Sequence, residues 1–362
     1  MEVKTYMDTI NQLLTDLVEK GGSDLHLVAG MPPCIRINGE LIALDYPVLK
    51  DTDVQDMIMP ILKDYQKERF EREWELDFSY SISGCSRFRG NIMYQRSSLS
   101  AVFRAVPFVI PEFETLGLPS DVKRLCDLPR GLILVTGPTG SGKSTTLAAM
   151  IDLINSTRAS NIVTIEDPIE FLHRHKKSTV RQRELGTDTH SFSAALRHVL
   201  RHDPDIIMIG EMRDSESISI ALTAAETGHL VLSTLHTQTA PLTITRIIDS
   251  FSGDKRLQIR QQLANTLRAV ISQQLVPTID GMGRVVAVEY MIDVPAIRNL
   301  IREGKEHQIY SVIQTGHSQG MQTMDQALVR LYNQQKISRE AVLEYCIDRA
   351  EVERLMKNSF FL

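Results

Sequence analysis

The segment Gly137-Pro138-Thr139-Gly140-Ser141-Gly142-Lys143-Ser144 has the pattern G-x-x-x-x-G-K-S, and it restricts what this chain can fold into more than any other stretch. Glycines in such a loop let backbone N–H groups turn inward around phosphate oxygens, and a helix starting behind it adds partial positive charge. The geometry needs a buried strand before the loop and a helix after it. Leu132-Ile133-Leu134-Val135-Thr136 reads as a buried parallel strand, and residues 145–154 read as a helix. In that setting Gly137, Pro138, Thr139, Gly140, Ser141, Gly142, Lys143, Ser144 and Thr145 form a nucleotide cradle. Lys143 reaches the β- and γ-phosphates, and the Ser144 hydroxyl holds Mg²⁺.

The chain has 362 residues, enough for two domains, and 43% of them are hydrophobic. No apolar run approaches the roughly 18 residues of a membrane helix, which argues against membrane insertion. Glu2, Lys4 and Asp8 make the start of the chain unlike a signal peptide. A net charge of −5 argues against nucleic acid as a partner. Cys34, Cys85, Cys126 and Cys346 are scattered, with no C-x-x-C pair. That spacing excludes an ordinary zinc site and suits reduced, packed thiols in a cytosolic protein.

Residues 1–106 read as a small α+β domain. Ile10, Leu13, Leu14, Leu17 and Val18 make a helical stripe that Gly21-Gly22 ends. Strands follow at 25–28 and 34–37, with Asn38-Gly39 as a hairpin turn. Residues 52–72 read as one helix and 78–106 as paired strands. Residues 107–119, with three prolines, read as an ordered interdomain linker. Residues 120–280 alternate strand and helix in the manner of a doubly wound parallel sheet, with strands at 132–136, 161–166, 206–210, 229–234 and 285–290. The tail, residues 295–362, reads as largely helical.

Two of these strands end in carboxylates. Glu166 closes one and Glu211 follows another, and ligands in open α/β sheets lie beyond the carboxyl ends of strands. Hydrolysis of a bound nucleotide needs one group for the metal and one to orient water, and spacing does not say which acid takes which part. His229 and His236 bracket an extended stretch and stand about 23 Å apart at roughly 3.3 Å per residue, so they cannot share a metal. His229 is a candidate γ-phosphate sensor or a hydrogen-bonded core histidine. Arg87, Arg89, Arg96 and Arg104 lie in the alternating strands of the first domain, as a solvated face or as groups reaching a neighbouring subunit's nucleotide. His173-Arg174-His175-Lys176-Lys177, with Arg181 and Arg183, reads as a basic loop. Residues 296–305 form a short amphipathic helix with Ile297, Leu300 and Ile301 on one face and Arg298, Arg302 and Lys305 on another.

Taken together these segments resemble the secretion ATPase superfamily, and within it the type IV pilus retraction ATPases of the PilT family. The resemblance runs over nearly the whole chain: Gly22-Ser23-Asp24-Leu25-His26-Leu27, the phosphate loop, Ile165-Glu166-Asp167-Pro168-Ile169-Glu170, Ile209-Gly210-Glu211-Met212-Arg213-Asp214, and the stretch from Thr227-Gly228-His229 to Thr234-Leu235-His236-Thr237. The string AIRNLIREGK at 296–305 is characteristic of the retraction branch, and the four-cysteine zinc insert of many assembly and type II secretion ATPases is absent. His202 stands where relatives usually carry an acid.

The resemblance implies a homohexameric ring of N-terminal PAS-like and C-terminal RecA-like domains, with ATP and Mg²⁺ between them. It implies Glu166 as the carboxylate that polarises water, Glu211 as a Mg²⁺ ligand through water, His229 as a γ-phosphate coupler, and Arg87, Arg89 and Arg104 as phosphate sensors. It further implies a place at the cytoplasmic face of the inner membrane, through the pilus platform protein and a paralogous retraction ATPase. Pilus assembly, DNA translocation, type II secretion and a non-hydrolysing accessory role are the rival readings.

Overall fold

The computed structural model describes residues 2–37 and 39–358. It divides into two compact units: one runs to Val109 and includes Glu170–Leu172, and the other holds Ile110–Ile169 and His173–Leu362.

In the first unit, helix α1 (Glu2–Glu19) buries Ile10, Leu13, Leu14 and Leu17 completely, the i, i+3, i+4, i+7 stripe of an amphipathic helix. Strands β1 (Asp24–Leu27), β2 (Cys34–Ile37) and β3 (Glu40–Ala43) are followed by helices α2 (Asp51–Ile58) and α3 (Asp64–Glu73). Strands β4 (Glu75–Ile82), β5 (Ser86–Gln95) and β6 (Ser98–Val106) complete an antiparallel sheet in the order β3-β2-β1-β6-β5-β4. Ile37 faces Glu40 across the first hairpin, whose expected turn residue Asn38 lies outside the described residues. The single helix expected over 52–72 is two helices, because Pro60 opens a 3₁₀ turn between them and cannot donate to a continuing helix.

The second unit is built on a seven-stranded sheet. In chain order it comprises β7 (Gly131–Thr136), α4 (Lys143–Thr157), β8 (Asn161–Glu166), β9 (Thr179–Glu184), α5 (Phe192–Val199), β10 (Ile206–Ile209), α6 (Ser215–Glu226) and β11 (Leu230–Leu235). Then come α7 (Ala240–Asp249), α8 (Gly253–Thr266), β12 (Leu267–Pro277), β13 (Arg284–Ile292), α9 (Pro295–Glu303), α10 (Ile309–Thr315), α11 (Met324–Asn333), α12 (Arg339–Tyr345) and α13 (Arg349–Asn358). The strand order is β13-β12-β7-β11-β10-β8-β9. The expectation of a parallel sheet holds except at one edge, where β13 runs antiparallel to β12. Helix α4 packs on the face carrying Ile133, Val135, Ile162, Ile206 and Met208, and α5 to α9 cover the face carrying Leu132, Leu134, Val163, Ile165 and Ile207. A further core joins α11, α12 and α13 to Val276 and Ala287.

Two strands escaped the sequence reading. β9 holds Arg181 and Arg183, expected in the basic loop; as an edge strand it buries little apolar surface. β12 carries Ser272 and Gln273, polar yet 0% and 1% exposed, because both are hydrogen-bonded inside. The expected linker over 107–119 is divided: residues from Ile110 onward belong to the second unit, where Phe113 packs with Ile133 and Val135. No helix among the described residues is long and apolar enough to cross a membrane.

Candidate nucleotide-binding and hydrolysis site

The phosphate loop joins β7 to α4, and α4 starts at Lys143 rather than at 145, so the orphan N–H groups of its first turn face the loop. Gly137 has φ +140°, and a Cβ there would stand 2.3 Å from the Gln273 carbonyl oxygen and 2.6 Å from Ser141 Oγ. Only glycine fits. Gly142 caps the helix with φ +91°, the left-handed region. Lys143 Nζ donates to the Gly137 and Pro138 carbonyls, both at 2.9 Å, and so spans the loop. Behind it, Thr136 Oγ1 donates to Ser272 Oγ at 2.8 Å and Gln273 Nε2 donates to Thr146 Oγ1 at 2.8 Å. The loop is therefore braced by β12, an element the sequence did not reveal.

Parallel register aligns the carboxyl ends of the neighbouring strands with this loop: Thr136 pairs with Leu235, Ile209 with Ser233, and Ile209 with Ile165. Glu166, at the end of β8, is 7% exposed. Thr164 Oγ1 donates to its Oε1 at 2.6 Å and Gln182 Nε2 at 3.1 Å. Because side chains alternate along a strand, Glu166 shares the face of Ile162 and Thr164, the face that α4 covers. β10 and β11 lie between β8 and β7, which sets Glu166 about 14 Å across the sheet from the loop strand.

Glu211 follows β10. Arg213 Nε donates to its Oε2 at 2.8 Å, and His236 Nε2 lies 3.3 Å from Oε1. Arg213 Nη1 also donates to Asp167 Oδ2 at 3.0 Å. The bond to Glu211 outweighs partial burial and raises the pKa of the guanidinium, which stays charged. A cavity of about 310 Å³ opens beside this cluster, lined by Glu211, Arg213, His236, Thr237, Arg246 and Ser250. Ser144 in the first turn of α4 and Glu211 offer hard oxygen donors on one sheet edge, a set that fits Mg²⁺.

The structure moves His229 away from this cluster. It precedes β11, its Nδ1 lies 2.9 Å from the Ala224 carbonyl oxygen, and its own carbonyl accepts from Gly131 at the start of β7. The length of β11, about 20 Å for six residues, separates it from the loop edge, so it cannot sense a phosphate held by its own chain. His236, just past the carboxyl end of the same strand, occupies that position instead. The rule that ligands gather at carboxyl ends of strands would have selected it. Asp167, Arg213, Thr164 and Gln182 carry no local sequence signal for the contacts they make here.

Arg87 and Arg89 on β5 and Arg104 on β6 share one face of the first unit's sheet, with Arg89 opposite Arg104. Arg104 Nε donates to Asp24 Oδ1 at 2.8 Å. The loop and both acids belong to the second unit. Much of the basic segment is engaged: Lys176 pairs with Asp152 at 2.8 Å, His175 accepts from the Val180 amide at 3.0 Å, and burial pushes His173 down to about 4. His202 is exposed where its carbonyl accepts from Asn161, at the amino ends of the strands.

The profile of the family described as Type II/IV secretion system protein matches residues 87–357. The type IV pilus retractation ATPase PilT of Pseudomonas aeruginosa is 52% identical over 92% of this chain and 97% of its own length. The chain belongs to the PilT family of secretion ATPases. The PilT-family chain is also 42% identical to the type IV pilus ATPase PilU of the same organism, over 95% of this chain and 90% of that one. The crystal structure of the pilus retraction motor PilT with bound ADP superposes with a TM-score of 0.86 at 50% identity, covering 95% of this chain and 98% of that one. The ATPase DotB of Legionella pneumophila gives 0.80 at 30% identity, covering 92% and 94%.

Proposed function

We propose that this chain is a Mg²⁺-dependent ATP hydrolase that works as a homohexamer and powers type IV pilus retraction by pilin disassembly. The observation that carries the reading is the convergence of the phosphate loop, Glu166, Glu211 and His236 on one edge of the second unit's sheet. Lys143 trades the carbonyls of Gly137 and Pro138 for phosphate oxygens, a change from neutral to anionic acceptors that strengthens each bond. Glu166, fixed through Oε1 by Thr164 and Gln182, orients the attacking water. Glu211 and Ser144 hold Mg²⁺, which supplies neutralisation of phosphate charge when bound. His236 relays the state of the γ-phosphate to Glu211 and to the segment leading into α7.

The first unit reads as PAS-like, and its Arg87, Arg89 and Arg104 serve the nucleotide of the adjoining subunit. Domain rotation acts on the inner-membrane platform protein from the cytoplasmic side, in company with a paralogous retraction ATPase. The retraction branch is supported by the string AIRNLIREGK at 296–305, on α9 and the turn after it, and by the likeness to the type IV pilus retractation ATPase PilT. The test is Glu166→Gln in a steady-state phosphate-release assay with parallel nucleotide titration. Turnover falls by about 10³ with binding retained; near-normal turnover would pass the base role to Glu211.

A further inference from the structure

Glu289, in the middle of β13, is 0% exposed, although the chemistry above assigns it no part. Its Oε1 accepts from the Ala240 amide at 2.7 Å and its Oε2 from the Met324 amide at 3.4 Å. Ala240 and Met324 are the first residues of α7 and α11, so one carboxylate satisfies the leading N–H of two helices. Thr239 and Thr323 cap the same helices one position earlier, accepting from Leu242 at 3.4 Å and Gln326 at 3.2 Å. Burial pushes Glu289 up to about 7, against the pull of the two amides and with Asp325 adding to the rise.

That position joins three parts of the second unit. In register, Glu289 faces Ser272, which accepts from Thr136 at the foot of the phosphate loop. Through Ala240 it fixes the start of α7. There Thr243 Oγ1 donates to the Thr239 carbonyl at 2.7 Å and stands 2.6 Å from Thr237 Oγ1, next to His236. Through Met324 it fixes α11, whose approach is held to β13 by Gln322, bonded to Tyr290 and Val288.

We infer that Glu289 is a positioning residue that locks residues 236–239 to the C-terminal helices, so that α11 and the γ-phosphate end of the site hold or shift together. The catalytic part of this rests on the ATPase reading; the mechanical part does not. A carboxylate accepts from both helices at once. Glu289→Gln presents an acceptor to one amide and a donor to the other, with the size of the side chain kept.

Hydrogen exchange of the full chain without nucleotide tests the mechanical link. In Glu289→Gln, the helix start that meets the new donor, within 237–243 or 322–328, exchanges about tenfold faster, the equivalent of one lost hydrogen bond, while β7 and β11 are unchanged. Unchanged exchange at both helix starts overturns the inference. In ATP turnover, Glu289→Gln lowers kcat about tenfold with KM and nucleotide affinity within about twofold, a split that general loosening would not give. Thr243→Val, which leaves the carboxylate intact, lowers kcat in the same way without accelerating exchange at 322–328. Should Glu289→Gln fail to fold, unchanged kcat in Thr243→Val sinks the inference. Wild-type protein with no ATP turnover refutes the function proposed above, and the exchange result still decides the link.

Discussion

Lys143 and the two histidines at the ends of β11 show how much of this site is a matter of single side chains. Lys143→Ala removes the ammonium that spans the loop and leaves the Gly137 and Pro138 carbonyls without it. Turnover should fall by about 10²–10³, with weaker binding of a fluorescent nucleotide. His236→Ala should lower kcat by about tenfold or more, whereas His229→Ala should keep kcat within about twofold and cost about 1 kcal/mol of stability for its bond to Ala224. Paired kinetics and thermal melts of the two variants check this; a larger kcat loss in His229→Ala would mean that the residue acts on a neighbouring subunit's nucleotide. In the first unit, burial alone would raise the Asp24 carboxyl, but hydrogen bonds from Ser23 and Arg104 outweigh it and hold it below its ordinary 3.8. A depressed carboxylate stabilises the folded state above that ordinary value and loses the contribution as pH falls below it. Acid unfolding of Asp24→Asn should therefore show a shallower pH dependence below 3.8 than wild type.

Among elements, the strands with continuous apolar runs were legible from composition alone, because a strand buried on both faces must be apolar throughout. Asn161–Glu166 matches its expected bounds, and β7, β10 and β11 differ by a residue or so. β12 was hidden for the opposite reason: its Ser272 and Gln273 are buried by bonds to Thr136 and Thr146, partners more than a hundred residues away that no local pattern reveals. The carboxyl-end position of Glu211 was readable, but its pairing with His236 depends on β10 lying beside β11, a fact of strand order. The brace on the loop is testable at element level. Gly137→Ala places a methyl against the Gln273 carbonyl and should distort the β7–α4 turn, abolishing nucleotide binding while circular dichroism stays native. Retained binding would show that β12 yields.

At the scale of the whole molecule, the reading requires arginines of one subunit to complete the site of the next. Specific activity should rise steeply with protein concentration as rings form, and flat activity from dilute monomer upward would remove Arg87, Arg89 and Arg104 from the site. Mixing inactive Lys143→Ala with inactive Arg104→Ala should restore activity at roughly a quarter of the seams in randomly assorted rings. No recovery would place Arg104 with its own chain's nucleotide or outside the chemistry.

The short stretch Glu170–Leu172, which groups with the first unit although it lies inside the sequence of the second, has a practical outcome. The Leu172 amide donates to the Pro107 carbonyl, so the chain revisits its first half four residues after Glu166 ends β8. A fragment ending at Val109 lacks that strap, and one beginning at Ile110 carries it with nothing to grip. Neither half can be excised cleanly by a single cut.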